Sequence, residues 1–354
     1  ATDAVSLGGV SSTQYVITAD PRLSDSRNPL PGSANYIQNT SSLQSASNFN
    51  VSGTGGAAIF DATTRYNFGG NHLMSALGMD NIFAGASAGL LNLGNNNAFF
   101  GARAGQENKQ GQENSFFGSY AGQNNITGNN NSFFGYFAGN GTTSGSENSF
   151  FGNRAGQVNT SGAYNSFFGT FSGLFNTTGS DNSFFGNETG YNSNGNRNSF
   201  FGSKAGRENS TGADNAFLGS FAGRANTTGS NNSFVGSNAG QANATGAFNS
   251  FIGAGAGFTN SASNNTFVGA DAGRFNTVGA NNTFLGKGAG QDNTSGELNV
   301  FIGTNAANSN TVGRLNTVIG AEADLGGTNH QYATAIGAEA TVNTSNTVGL
   351  GRAV

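Results

Sequence analysis

Only two histidines, His72 and His330, and no cysteine occur in the 354 residues. Acid–base or nucleophilic chemistry would therefore need one of those imidazoles beside a partner within hydrogen-bond reach. The two are separated by almost the whole repetitive region, so neither completes a site with the other. Glycines 253, 255 and 257, like Gly286, Gly288 and Gly290, imitate a phosphate-cradling loop, yet no Lys followed by Ser or Thr completes either. A calcium-binding roll would repeat Asp in every short unit, and the repeated polar residue here is the uncharged Asn. The lack of cysteine excludes a disulfide scaffold and a thiolate metal site. The expectation is a chain that is not an enzyme and carries no cofactor and no metal.

The polar chemistry that does recur is amide chemistry. Asn114, Asn131, Asn148, Asn165, Asn182 and Asn198 form one series and Asn108, Asn125, Asn159 and Asn176 a second. Stacked at a fixed spacing, such side chains form amide ladders that satisfy turn groups. The sharper alternative is a polar grid for a glycan or for ice, presented with Thr177, Thr178, Thr227 and Thr228. Sequons such as Asn176 to Thr178 would matter only in a host that glycosylates them.

These residues are placed by a repeat. NSFFG at Asn114 to Gly118 returns unchanged at Asn131, Asn148, Asn165, Asn182 and Asn198, and softened as NAFLG at Asn215, NSFVG at Asn232, NSFIG at Asn249 and NTFLG at Asn282. Its closing glycines run from Gly101 to Gly337 in steps of 17, occasionally 16. A fixed period of this length means stacked units in a solenoid, with function on the rod's surface. Ser115, Phe116 and Phe117 are too few for a helix and rich in β-propensity, so they predict a short strand ended by Gly118. Ala121 and Gly122 read as a second strand of small residues. Asn124, Asn125, Thr127 and Gly128 carry turn chemistry. The fold class expected is all-β, a parallel β-roll or β-solenoid of about 17 residues per coil and roughly seventeen coils. At the usual strand spacing the rod would be about 80 Å long.

Successive side chains on a strand point to opposite faces, so Phe116 and Phe117 cannot both look inward. The same holds for Phe133 and Phe134, Phe150 and Phe151, Phe167 and Phe168, Phe184 and Phe185, and Phe200 and Phe201. One column fills the core and the other lines the outside; alternation alone does not say which. A stripe of that length exceeds what monomers leave bare, and the readiest cover is a copy of the same chain in a closed symmetric oligomer. Small residues at Ala121, Ala138, Ala155 and Ala205 suit a thin coil with room for one large side chain. Arg103, Arg154, Glu188, Lys204 and Asp271, two places after the closing glycine, read as a solvated edge that discourages lateral aggregation.

Composition narrows the partners. Glycine numbers 58, charged residues make up 9% and the net charge is −4; with 31 phenylalanines held at fixed phases this is order, not a disordered low-complexity tract. Without a basic stripe, no nucleic acid or anionic membrane is expected as a partner. No run of about 18 apolar residues predicts membrane insertion. Ala1 to Val5 is not a signal region, so export would imply that a signal has been removed.

All three prolines, Pro21, Pro29 and Pro31, lie in residues 1–45, which predict an extended arm or connector with strand-capable pieces at Tyr15 to Ile17 and Asn35 to Asn39. Residues 46–68 predict strands that cap or enter the solenoid, and 69–354 the solenoid itself. Tyr66, Phe68 and Gly69 give the first in-phase signal, Ile82, Phe83 and Gly85 the next.

NTVIGAEA at Asn316 to Ala323 and ATAIGAEA at Ala333 to Ala340 resemble the head repeat of trimeric autotransporter adhesins, the YadA-like heads. NSFFG is similar to the same unit with phenylalanine in place of aliphatics, as in tail-fibre-like bacterial surface fibres. SLGGV at Ser6 and DPRLSDSRNPLPGSANYIQN at Asp20 resemble leader segments of such fibres. The resemblance implies a left-handed, homotrimeric parallel β-roll, extracellular or at the cell surface. Its role would be adhesion or surface structure, with a host surface or glycan as possible ligand. Two alternatives stand beside that: a subunit of a head-to-tail filament in which the arm docks on the next trimer, and the weaker glycan- or ice-binding surface.

Overall fold

The computed structural model describes residues 6–7, 10–11, 65–68, 71–75 and 79–351. The chain divides into two units, Ala1–Asp61 and Ala62–Val354. In the first, β1 (Ser6–Leu7) pairs antiparallel with β2 (Val10–Ser11). The strands expected at Tyr15 to Ile17 and Asn35 to Asn39, and the connector with its three prolines, lie outside the described residues.

The second unit begins with a correction. Tyr66 and Phe68 do not open a coil: β3 (Arg65–Phe68) pairs antiparallel with β4 (Asn71–Ser75), with an irregularity between Tyr66 and Asn67. β4 in turn runs antiparallel to β5 (Ile82–Ala84). The antiparallel return fits the short connection between β3 and β4, since parallel neighbours need a long crossover. From β5 onward every pairing is parallel. β6 (Ala98–Phe100), β7 (Ser115–Phe117) and β8 (Ser132–Phe134) continue in the same spacing to β20 (Thr334–Ile336), and a shorter step of 14 residues leads to β21 (Val348–Leu350). Sixteen parallel pairs join consecutive strands into a solenoid of about 17 residues per coil. There is no helix among the described residues.

Each coil has one strand of three residues. The second strand expected around Ala121 and Gly122 is absent, because the backbone there enters the left-handed region at Tyr120 (φ +63°) and Gly122 (φ +54°) and cannot stay extended. Successive turns take its place, closed by Ala121 N–H to Gly118 C=O at 3.2 Å and Asn125 N–H to Gly122 C=O at 3.0 Å. These turns still bond to their neighbours: Tyr120 N–H donates to Ala102 C=O and Gly122 N–H to Ala138 C=O. Gly118 ends the strand at φ +137°, where an added Cβ would lie 2.4 Å from Gly135 C=O. Only glycine fits a backbone of that conformation pressed so closely on the next coil.

The register stacks like on like, Phe116 over Phe133 and Phe117 over Phe134. Fourteen phenylalanines from Phe83 to Phe301 are buried, and neighbouring rings stack at 4.7 to 5.0 Å. Strand spacing sets that distance, and the alanines of the Ala121 column close the core around the rings.

Candidate functional site

Alternation resolves in one direction throughout. Phe116, Phe133, Phe150, Phe167, Phe184 and Phe200 are wholly buried inside the coil. Their neighbours Phe117, Phe134, Phe151, Phe168 and Phe185 are half-buried, and Phe201 is exposed, all on the outside. The ring of Phe116 packs tightly against Gly122, where an added Cβ would meet its Cε2 at 2.4 Å. That contact makes the first ring of each pair the inner one.

The outer column is a ladder of its own. From Phe100 to Phe201 adjacent rings stack at 4.6 to 4.8 Å. Beyond Phe201 the same position holds Leu218, Val235, Ile252, Leu285 and Ile336, whose exposures lie between 37% and 52%. Where ring gives way to aliphatic, a shallow open depression of about 390 Å³ is lined by Phe201, Ala216, Leu218 and Val235.

The asparagines form ladders, but inside the coil. Asn131 N–H donates to Asn114 Oδ1 at 3.0 Å, and Asn131 Nδ2 donates to Gly145 C=O at 2.9 Å. In the second series Asn125 Nδ2 donates to Asn108 Oδ1 at 2.6 Å and to Gly128 C=O at 2.9 Å. Asn114 Nδ2 reaches that same carbonyl at 2.9 Å, so one acceptor ties the two ladders together. Asn114, Asn131, Asn148, Asn165, Asn182 and Asn198 are fully buried. The ladder asparagines themselves therefore do not face outward: their amides are taken up by the turns they hold. Asn176, the sequon residue, is buried as well. Of the threonines, Thr177 gives its hydroxyl to Asn194 Oδ1 and Thr227 to Ala244 C=O, while Thr178 and Thr228 are exposed.

The second ladder has a fault. Thr142 stands between Asn125 and Asn159, and Thr142 Oγ1, Asn125 Oδ1 and Asn159 Oδ1 are all buried without a hydrogen-bond partner, as are both amide atoms of Asn176. Ser193 at the same position is short enough to accept from Asn209 Nδ2 at 3.1 Å.

Two columns flank the strand face, and both hold non-glycine residues in the left-handed region. One precedes the ladder asparagine, as at Glu113 (φ +59°) and Asp214 (φ +58°); the other lies two places after the closing glycine, as at Arg103 (φ +59°), Phe137 (φ +57°) and Phe171 (φ +59°). In the latter column cations lie over rings: Arg103 5.4 Å from the Tyr120 centroid, and Arg154 about equally over Phe137 and Phe171 at 5.9 and 6.0 Å. The sequence reading found the charges of that column but missed its aromatics, whose signal was the same two-residue offset from the glycine. On the former edge Arg197 and Asp214 form a two-pronged ion pair at 2.7 and 2.9 Å. Its hydrogen bonds, and then the opposite charge, hold the Asp214 carboxyl below the usual range and raise the Arg197 guanidinium.

Among the described residues no cluster of three His, Cys, Asp or Glu could hold a metal. No described helix is long and apolar enough to cross a membrane. The sequence matches no protein-family model and no curated protein.

Proposed function

We propose that the chain is a non-enzymatic segment of an extracellular fibre, in which parallel copies of the solenoid, three in number, pack their outward ladders around a common axis and serve adhesion or surface structure. The observation that carries this is the outward ladder itself. It is one residue wide, apolar at every coil from Phe100 to Leu350, and partly or largely exposed in the single chain. Soluble monomers seldom leave so long an apolar patch uncovered. Fully burying a Phe, Leu, Ile or Val side chain contributes roughly 1.5 to 3 kcal/mol before ordering costs, so even partial burial repeated along the column makes assembly and folding interdependent. The likeness of the Ile–Gly–Ala repeats at Ile319 to Ala321 and Ile336 to Ala338 to YadA-like adhesin heads supports three as the number and a left-handed winding.

Native mass spectrometry across a dilution series tests it. The expected result is a trimer that persists to low concentration and is lost in Phe117→Asp and Phe151→Asp, since a charge buried at an interface without a partner is strongly unfavourable. A stable folded monomer at every concentration would remove the proposal; a dimer would keep the packed ladder and change the symmetry.

A further inference from the structure

Three arginines stand five places after a closing glycine, Arg207, Arg224 and Arg274, and two of them are matched by carboxylates of their own chain. Arg207 pairs with Glu188 and with Glu208. Arg274 Nη1 donates to Asp271 Oδ1 at 2.7 Å, while its Nε is buried without a partner. Arg224 has the same posture, half-buried with an unpartnered Nε, but no carboxylate among the described residues meets it. The cause is one substitution in the repeat: the place that Asp271 holds two residues after its closing glycine is taken in the Arg224 coil by Phe221.

A second unpaired cation converges on the same ring. Lys204 Nζ lies 5.7 Å and the Arg224 guanidinium carbon 5.9 Å from the Phe221 centroid. Both side chains are half-buried, and a ring offsets only part of what a cation loses on leaving water. The carboxylates on this side of the adjoining coils are already engaged, Glu188 on Arg207 Nε at 2.8 Å and Glu208 on Arg207 and Asn192. Counting them, the patch holds three cations against two anions. One coil further on, Gln241 follows Arg224 in the same column. Its amide has no partner among the described residues, unlike that of Gln123, whose Nε2 donates to Gln106 Oε1 at 2.9 Å. Ala225 and Ala242 beside the two are small, where Phe275 flanks Arg274.

We infer that Lys204, Phe221, Arg224 and Gln241 form a binding site for an acidic saccharide, the carboxylate-bearing sugar of a glycan. The terminal nitrogens of Arg224 take the carboxylate as Arg274 takes Asp271, with Lys204 as the second charge. Phe221 offers an apolar surface to the C–H face of the sugar, and the Gln241 amide can both donate to and accept from a hydroxyl. A bare anion would need neither the ring nor the amide, and a neutral sugar would leave two half-buried cations unmatched. The inference gives the adhesive reading proposed above a ligand and rests on that reading for a glycan as its source; the site itself is built within one chain.

Ligand-observed NMR on the intact chain tests the site, with glucuronate, glucose and acetate as probes. Glucuronate should bind, and glucose and acetate should each bind at least about tenfold more weakly, one lacking the charge and the other the sugar ring. Arg224→Gln should weaken glucuronate at least about tenfold and Lys204→Gln less, while Arg274→Gln, whose guanidinium is already matched, should leave it unchanged. Phe221→Asp sets a carboxylate of the chain where Asp271 stands beside Arg274, at a backbone of the same conformation (φ +60° and +58°), and should close the site. No binding of glucuronate, binding unmoved by Arg224→Gln and Phe221→Asp, or equal loss in Arg274→Gln would overturn the site. Equal affinity for acetate would leave an adventitious anion contact only, and equal affinity for glucose would remove the role of charge; either overturns the inference. Native mass spectrometry of the same samples keeps the two proposals apart. A trimer that binds no glucuronate removes the site alone, and a monomer that binds it removes the assembly alone.

Discussion

Phe116 and Phe117 are consecutive, chemically identical and stacked at nearly the same spacing on their counterparts in the next coil, yet they belong to different regions of the molecule. The inner column is completed by its own chain: Phe116 is bounded by Ala121, Gly122 and the rings above and below. The outer column has rings above and below but nothing in the single chain across its face. The inner column stays phenylalanine from Phe83 to Phe301, whereas the outer column changes to Leu, Val and Ile after Phe201. A slot bounded by a glycine Cα accepts one flat ring and little else. A face that packs against another body needs only to be apolar. Where the inner ring is lost, at Val318 and Ala335, the wall changes with it, and Leu325 and Val342 are buried in compensation.

The largest effect should separate those columns. Phe133→Ala removes a fully buried ring from a slot that cannot collapse, because the coils on either side hold the backbone apart, and should cost about 3 to 5 kcal/mol. In a stack where each coil depends on its neighbours, that loss loosens the adjoining coils as well. Phe134→Ala, measured by denaturant melts below the concentration at which copies associate, should cost less than half as much. Above that concentration its cost should grow and that of Phe133→Ala should not. Equal costs at both concentrations would contradict the division into a self-completed and a partner-completed column.

A smaller effect, opposite in sign, concerns the ladders inside. The first asparagine series has its side chains bonded from coil to coil, while the second, in which each Nδ2 donates to the Oδ1 of the preceding coil, is interrupted at Thr142, leaving the Asn125 Oδ1 acceptor buried without a donor. A buried polar group without a partner costs roughly 1 to 3 kcal/mol. Thr142→Asn supplies an Nδ2 donor to Asn125 Oδ1 and Gly145 C=O and an acceptor toward Asn159, so it should stabilise the chain by about 1 kcal/mol and raise its melting temperature. A lower melting temperature would show that Thr142 is held by packing that the amide disrupts.

The period, the parallel register and the presence of one buried and one outward residue per strand are all legible in the sequence, because each follows from spacing and from strand alternation. Which phenylalanine faces in was not, since alternation is symmetric; the deciding partner, Gly122, reads locally as part of a strand. That misreading has a physical cause. Small residues such as Ala121 and Gly122 suit extended backbone and turn alike, and the residue that breaks the strand, Tyr120 at φ +63°, is of a type that rarely adopts that conformation. Its cost, on the order of 1 to 2 kcal/mol, is offset by its backbone bond to the neighbouring coil, which no local pattern reveals. Likewise the asparagines were legible as ladders, but their burial was not. Amides next to glycine look like exposed turns until both ladders are seen to converge on the Gly128 carbonyl.

The smallest effect lies on the outer edge, where the acidic column meets its one cation. Arg197 hydrogen-bonds Asp214 and depresses the carboxyl's pKa, so the folded chain holds that proton less tightly than the unfolded chain does. A depressed carboxyl contributes stability that is present above its unfolded pKa and is lost as pH falls through the lower folded value. The window is therefore acidic, at and below the ordinary carboxylate range of about 4. Both side chains are largely exposed, so solvent and salt screen the pair and its effect on melting should be close to the limit of measurement. The titration itself is the better readout. Carboxyl chemical shifts should place the Asp214 titration below the ordinary carboxylate range, and Arg197→Gln should bring it back up; a titration that Arg197→Gln leaves unmoved would show that the guanidinium is not what depresses it.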